Sequence, residues 1–168
     1  ENILENISQL TNWDTINILM FYFSERDIIN ALTKASKRGV EIKILMDPNK
    51  DAFGRTKDGT PNRQVASELH KNGVEIRWCN TRGEQCHGKL LLFSGQDEKS
   101  VMLGSANLTR RNINNFNLES NIRLSWDYEF STYNEASELF DTLWNNKNGN
   151  VHSLNYEEYK NEDFLDKI

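Results

Sequence analysis

The chain has 168 residues and carries 20 lysine and arginine residues against 25 aspartate and glutamate residues, so its formal charge is -5. Hydrophobic residues make up 37% of the sequence and the mean hydropathy is -0.72, values that are typical of one globular domain. No stretch approaches 18 apolar residues, which excludes a membrane-spanning helix, and two cysteines exclude a disulfide-dense scaffold while leaving the compartment open.

The first third of the chain alternates between helical and strand patterns. It predicts a helix over 3–12, a buried strand over 15–23, a helix that begins after a Ser24 cap and ends at Gly39, and a strand over 40–46. Because a helix joins two buried strands, these residues form a β-α-β unit, which implies parallel strands and a right-handed crossover.

The remaining two thirds continue in the same way up to a polar tail. The predicted elements are a long loop over 48–63, a helix over 63–72, strands over 74–79, 86–93, 101–103 and 118–124, and a helix over 130–145. Residues 147–168 are polar and acidic, and are predicted to be an extension that follows a domain of residues 1–146. The fold class is therefore α/β, with a mixed, mostly parallel sheet flanked by helices on both faces.

The acidity is concentrated near the C-terminus. Residues 124–168 hold ten acidic and three basic residues, a net of -7, which leaves 15 acidic and 17 basic residues, a net of +2, in residues 1–123. That larger part can tolerate an anionic substrate. Arg110 and Arg111 either steer such a substrate or form the solvated start of a helix.

His87 and Lys89 are the first candidate site residues. They lie two apart in a predicted strand, and alternate side chains of a strand project from the same face. A lysine supplies a fixed positive charge, and a histidine can act as a nucleophile or as an acid. The pair therefore suits an anion such as a phosphoryl group.

A second polar pair follows the next predicted strand. Ser105 and Asn107 carry a hydroxyl and an amide that can donate to phosphoryl oxygens, and Gly104 permits close approach of the backbone. Glu119, at the start of the last predicted strand, is suited to orient the His87 imidazole, as the third group of a catalytic triad does.

In this order the residues resemble the HKD signature of the phospholipase D superfamily, over about residues 15–145. The matching positions are His87-x-Lys89, Gly104-Ser105-x-Asn107 and Asn117-Leu118-Glu119. The stretch from Asp47 to Gly54 resembles the C-terminal half of bacterial two-motif members, which include cardiolipin-synthase-like proteins. The resemblance implies a phospholipase D-like domain.

The resemblance also implies a chemistry and a role for each matching residue. His87 would be the nucleophile that forms a phosphohistidine, or its acid/base partner, and Glu119 would hydrogen-bond it. Lys89 and Asn107 would bind the phosphoryl oxygens with help from Ser105. No cofactor or metal ion is implied, because the lysine supplies the charge. The substrate would be a phospholipid, whose phosphatidyl group is hydrolysed or transferred.

Two positions depart from the family pattern. Ser94 stands where the family usually carries an acidic residue, and we expect a local change there without loss of activity. The family builds one active site from two HxK motifs, whereas His70 and His152 have no lysine two residues later. The second motif is expected from a missing N-terminal half, which the start at Glu1 and the loop at 47–54 favour, or from a two-fold homodimer.

Two other functions stay open beside the phospholipid phosphodiesterase. A metal-independent nuclease acting as a homodimer suits the length but not the weak positive charge. A non-catalytic half-domain that completes another site would explain Ser94 and the single motif. A zinc site at Cys79, Cys86 and His87 is disfavoured, because three ligands are too few and buried free cysteine is common.

Overall fold

The computed structural model describes residues 3–52, 55–56, 58–114, 116–126 and 131–160. The helices in these ranges are α1 (Ile3–Gln9), α2 (Arg26–Lys37), α3 (Asn62–Lys71), α4 (Arg110–Ile113) and α5 (Ser131–Trp144). The strands are β1 (Thr15–Met20), β2 (Glu41–Met46), β3 (Asp51–Ala52), β4 (Arg55–Thr56), β5 (Glu75–Cys79), β6 (Lys89–Ser94), β7 (Lys99–Gly104), β8 (Asn121–Trp126) and β9 (Ser153–Asn155). None of the helices in the described ranges is long and apolar enough to cross a bilayer.

Seven of the strands form one mixed sheet in the order β8-β7-β6-β1-β2-β5-β9. The β1-β2-β5 part is parallel, and the other neighbours run antiparallel. The strands β3 and β4 form a separate two-stranded hairpin within the predicted loop. The predicted mixed α/β sheet is confirmed, but the prediction that it is mostly parallel is wrong. Four of the six neighbouring strand pairs that the structure describes in it are antiparallel, because β6, β7 and β8 follow one another as antiparallel neighbours and β9 runs back along β5. The parallel part is the predicted β-α-β unit together with β5.

Helices cover both faces of the sheet, which is why β1 and β2 each end in three consecutive buried apolar residues. On one face, α1, α2 and α3 pack against alternate residues of the central strands and bury the larger of two apolar clusters. On the other face, α5 packs on Leu90, Leu92 and Val101 through its side chains Tyr133, Phe140 and Trp144. Phe130, which the sequence places on this side of the helix, lies outside the described residues.

Two strands begin later than the sequence predicts. The predicted strand over 86–93 begins at Lys89, and the predicted last strand begins at Asn121. As a result, His87 and Glu119 lie in the irregular segments that lead into β6 and β8, at the same end of two antiparallel neighbours of β7.

The start of α2 also differs from the prediction. Ser24 does not cap this helix, because Glu25 occupies the N-cap position and makes no side-chain cap hydrogen bond. The Ser24 N–H donates to the carbonyl of Leu108 at 2.8 Å. The contact ties the segment after β1 to the loop after β7. It therefore helps to join two chain segments that border the candidate site.

The predicted polar extension contributes to the sheet. The strand β9 pairs antiparallel with β5 and forms the edge of the sheet. The indole N–H of Trp78 donates to the carbonyl of Tyr156 at 2.8 Å, and the Tyr156 ring stacks on His70 with centroids 4.0 Å apart. Residues 161–168 of the predicted extension lie outside the described ranges.

Candidate active site

Lys89 and His87 are in direct contact. The buried Lys89 ammonium lies 3.0 Å from Nδ1 of His87 and donates to the His87 carbonyl oxygen at 2.9 Å. Because an ammonium group has only donors, Nδ1 is the acceptor, and the neutral ring carries its proton on Nε2. The structure thus brings the two predicted side chains together, although His87 itself lies outside the strand.

The aromatic ring of Phe21 packs against both His87 and Lys89. The Phe21 ring follows β1 directly, and its centroid lies 4.7 Å from that of His87. The Lys89 Nζ lies 5.2 Å from the Phe21 centroid, within the range of a cation–π contact. The sequence assigns Phe21 to a buried strand and gives no separate indication of this contact.

The environment lowers the pKa of both groups. Partial desolvation lowers the pKa of His87 below its usual value, the neighbouring Lys89 charge lowers it further, and the Asp47 carboxylate opposes both effects. Burial lowers the pKa of Lys89, and the negative charge of Glu119 opposes it. Imidazole that is neutral near pH 7 is the form that can act as a nucleophile.

Glu119 is held by side chains that follow β7. The Ser105 hydroxyl donates to one carboxylate oxygen at 2.5 Å, and the Asn112 amide donates to the other. The Ser105 bond lowers the pKa of Glu119, and the Asn112 bond and the Lys89 charge add to this effect. In the described ranges no hydrogen bond joins Glu119 to His87, so the Glu119–His87 bond that the resemblance implies is not formed in this arrangement.

The Ser105 hydroxyl therefore donates to Glu119, and in this arrangement its proton is not available to a phosphoryl oxygen. Its Oγ also accepts the Ser120 N–H at 3.0 Å. Asn112 has no signal in the sequence, because its contact depends on α4 folding back over the loop that carries Glu119.

Asn107 is fixed through its oxygen. Its Oδ1 accepts the Tyr22 N–H at 3.2 Å, and the Leu108 N–H donates to the Tyr22 carbonyl at 3.1 Å. These bonds tie the loop after β7 to the segment after β1. With its oxygen used in this way, the amide presents Nδ2, a double donor, which is the group that its predicted phosphoryl-binding role needs.

Cys79 and Cys86 form a disulfide, so the expectation of free cysteines is wrong. The bond joins the last residue of β5 to the residue before His87. Both sulfurs are consumed, so neither can bind zinc, and no group of three potential metal-binding side chains occurs among the described residues. The two cysteines stand at the end and at the start of two successive predicted strands, over 74–79 and 86–93, which allows such a bond without requiring it.

Ser94 is remote from the site. It is the last residue of β6, whereas Lys89 is the first, and five residues of strand span roughly 17 Å. The Ser94 side chain hydrogen-bonds Tyr133 of α5. This place in the fold agrees with the expectation that the departure at Ser94 has a local effect.

Comparison with known proteins places this geometry in a family. The family model described as cardiolipin synthase, PLD-like domain matches residues 3–144. No curated protein sequence matches the chain.

Three solved structures share the fold at low sequence identity. Nuc from Salmonella typhimurium, a phospholipase D family member, has a TM-score of 0.68 at 22% identity, with 91% of this chain and 87% of that chain covered. NucT from Helicobacter pylori has a TM-score of 0.61 at 18% identity, with 84% of each chain covered. Phosphatidylserine synthase from Haemophilus influenzae has a TM-score of 0.65 at 13% identity, with 99% of this chain but 38% of that chain covered.

Proposed function

The chain belongs to the cardiolipin synthase, phospholipase D-like domain family, and from this premise we propose that it is a phosphodiesterase that hydrolyses or transfers phosphatidyl groups of phospholipids. The observation that carries the proposal is the buried Lys89 ammonium 3.0 Å from His87 Nδ1. A fixed cation beside an imidazole whose other nitrogen, Nε2, can attack phosphorus is the arrangement that an anionic phosphodiester requires.

The first step is an exchange of partners at Lys89. The Lys89 ammonium group gives up its hydrogen bond to His87 Nδ1 and donates to the phosphoryl oxygens of the substrate. The Asn107 Nδ2 group donates to these oxygens as well. The imidazole proton then moves from Nε2 to Nδ1, which leaves the Nε2 lone pair free. A nearby carboxylate such as Glu119 stabilises the proton at Nδ1 once its contacts rearrange.

The second step is the attack itself. The Nε2 atom of His87 bonds to phosphorus, the P–O bond to the head-group alcohol breaks, and that oxygen takes a proton from a second acid. Water or another alcohol then attacks the phosphohistidine and releases the phosphatidyl group. This sequence contains a single HxK motif, so the second acid comes from the HxK motif of another copy or of another part of a longer chain.

The surface beside the site supports such a second motif. Leu103, Ile122, Leu124 and Trp126, which we call the apolar margin, share one face of β7 and β8 and are 41–61% exposed. The margin continues into the Gly104–Ser105 loop of the site. A second copy of the chain, or an N-terminal half of a longer chain, would bury this surface and place its own histidine near His87.

The test uses vesicles that contain phosphatidylglycerol, with EDTA present, and follows phosphatidic acid and cardiolipin by mass spectrometry. We expect the wild-type protein to form one of these products, and His87→Ala to form neither. His70→Ala is the matched control, because His70 is exposed in the last turn of α3, near the start of β5 and therefore at the end of the sheet opposite the site. Product formation by His87→Ala at the wild-type rate would contradict the role of His87 as the nucleophile.

A nuclease is the second candidate function, and one observation favours it. Arg110 and Arg111 are exposed on α4, the same short helix whose Asn112 holds Glu119. Two guanidinium groups at that place suit a polyanionic backbone. Plasmid nicking in EDTA that falls steeply with salt and in an Arg110→Ala, Arg111→Ala double variant, without any lipid product, would favour this function over the first.

A further inference from the structure

A buried carboxylate lies directly behind the residue that precedes His87. Asp47 follows β2 and is 2% exposed, and its Oδ2 accepts the Cys86 N–H at 2.8 Å. Its Oδ1 accepts the Asn49 N–H at 2.7 Å and the Asn49 side-chain amide at 3.2 Å. The carboxylate thus holds the backbone at the amide that is one peptide unit away from His87.

The main chain of Asp47 is itself held by a fully buried amide. The Asn62 Nδ2 group donates to the Asp47 carbonyl at 2.8 Å and to the Phe21 carbonyl at 2.7 Å, and the Asn62 N–H donates to the Asn49 side chain at 3.2 Å. One side chain therefore ties the residue that anchors the His87 segment to the residue whose ring packs under His87. Such a network leaves the Asp47 carboxylate little freedom to move.

The charges around the imidazole explain why a carboxylate is useful there. The Lys89 ammonium contacts His87 from β6 and disfavours the protonated ring, whereas the negative charge of Asp47, just after β2, favours that form. Glu119 interacts with Lys89 and weakens its effect from the side of β8. Among these three groups, Asp47 is the one whose geometry is fixed by buried hydrogen bonds.

We propose that Asp47 is a positioning residue, which fixes the Gln85–Cys86 peptide next to His87 and offsets the Lys89 charge so that His87 can serve in both its neutral and its protonated form. The proposal rests on the function proposed for His87. A histidine that attacks phosphorus and then leaves it passes through both states, so an environment that strongly excludes one of them would slow one step.

The experiment compares Asp47→Asn with Asp47→Ala. The asparagine keeps an oxygen for the Cys86 N–H but removes the charge and the oxygen that accepts from Asn49, whereas the alanine removes all three. In Asp47→Asn we expect the pKa of His87, followed by NMR of labelled histidine, to fall, and the pH optimum of turnover to move to lower pH. In Asp47→Ala we expect kcat to fall by up to about 100-fold, with a much smaller change in KM. If the alanine variant does not fold, the asparagine variant carries the test.

Asp14→Asn is the matched control. Asp14 is also buried, at 5% exposure, and its carboxylate accepts the Thr11 N–H at 2.7 Å. It precedes β1 whereas Asp47 follows the parallel strand β2, so the two carboxylates lie at opposite ends of the sheet. The control should lose stability without any change in the titration of His87.

The outcomes separate this proposal from the function on which it rests. An active wild-type enzyme in which Asp47→Asn and Asp14→Asn give the same His87 titration and the same kcat overturns the positioning role. A wild-type protein that turns over no phosphodiester, but whose His87 titration moves only in Asp47→Asn, supports the positioning role and overturns the proposed function.

Discussion

His87 and Lys89, which can both carry a positive charge, are in contact at the centre of the site, so the charge of Lys89 affects the pKa of His87. The Lys89 ammonium lies 3.0 Å from His87 Nδ1, and its charge is one of the causes that lower the pKa of His87. We expect Lys89→Met, which keeps a long side chain without the charge, to raise the pKa of His87. An NMR titration measures it, with His70 and His152 as internal references. A His87 pKa that is unchanged or lower in Lys89→Met would contradict the influence of the Lys89 charge on His87.

Gly104, just before Ser105, leaves no space for a side chain. A Cβ atom there would lie 2.4 Å from the Ser120 carbonyl oxygen and 2.7 Å from Asn121 Cα, so the backbone of the next strand would have to move. We expect Gly104→Ala to lower the free energy of unfolding by about 1–3 kcal/mol and to reduce turnover, because Ser105 then loses its place beside Glu119.

Urea unfolding measures this change, and Gly95→Ala is its control. A Cβ atom at Gly95 would meet the flexible end of Leu10 at 3.2 Å, which can yield more easily than backbone. Equal losses of stability in the two variants would show that the crowding at Gly104 has no special consequence.

At the scale of elements, the Cys79–Cys86 disulfide joins the end of β5 to the segment that leads into β6. Closing a loop this short in the unfolded chain is expected to stabilise the fold by about 2–3 kcal/mol. We expect reduction with a phosphine to lower the free energy of unfolding by about that amount. Turnover should fall only in part, because Asp47 still holds the Cys86 N–H.

The comparison for this experiment is the Cys79→Ala, Cys86→Ala double variant. Its unfolding in urea should match that of the reduced wild-type protein and should not respond to the reductant. A wild-type protein whose unfolding is the same with and without reductant would show that the bond does not stabilise the fold.

At the scale of the whole molecule, the apolar margin on β7 and β8 is the feature that a second motif would cover. We expect the purified chain to form a dimer through it, and Leu124→Asp to give a monomer that has lost turnover, because a two-fold interface brings each new carboxylate near its copy. The cost in stability should be about 1 kcal/mol or less, since Leu124 is 42% exposed.

Light scattering after size-exclusion chromatography measures the mass. Val151→Asp is the control, because Val151 is 56% exposed beside β9, at the opposite edge of the sheet from β8. A wild-type monomer, or an equal loss of dimer in both variants, would contradict an interface at the apolar margin.

Much of the fold could be predicted because its central elements carry a local signal. β1 and β2 are rich in apolar residues, β5 alternates polar and apolar residues, and the helices between them have one apolar face. The strand β9 has three residues with Leu154 only partly buried, so it has no such signal. It forms because β5 offers an unpaired edge about 70 residues away in the sequence, and pairing across that distance is a tertiary event.

The sequence by itself determined which residue types meet at one end of the sheet. His87, Lys89, Ser105, Asn107 and Glu119 occur at fixed spacings in or beside predicted strands. Only the tertiary structure decided their partners: Lys89 instead of Glu119 contacts the His87 ring, Ser105 holds Glu119, and the cysteines are bonded. The reason is that spacing along the chain fixes which end of a strand a residue occupies, whereas hydrogen-bond partners depend on how irregular loops turn after the strand has ended.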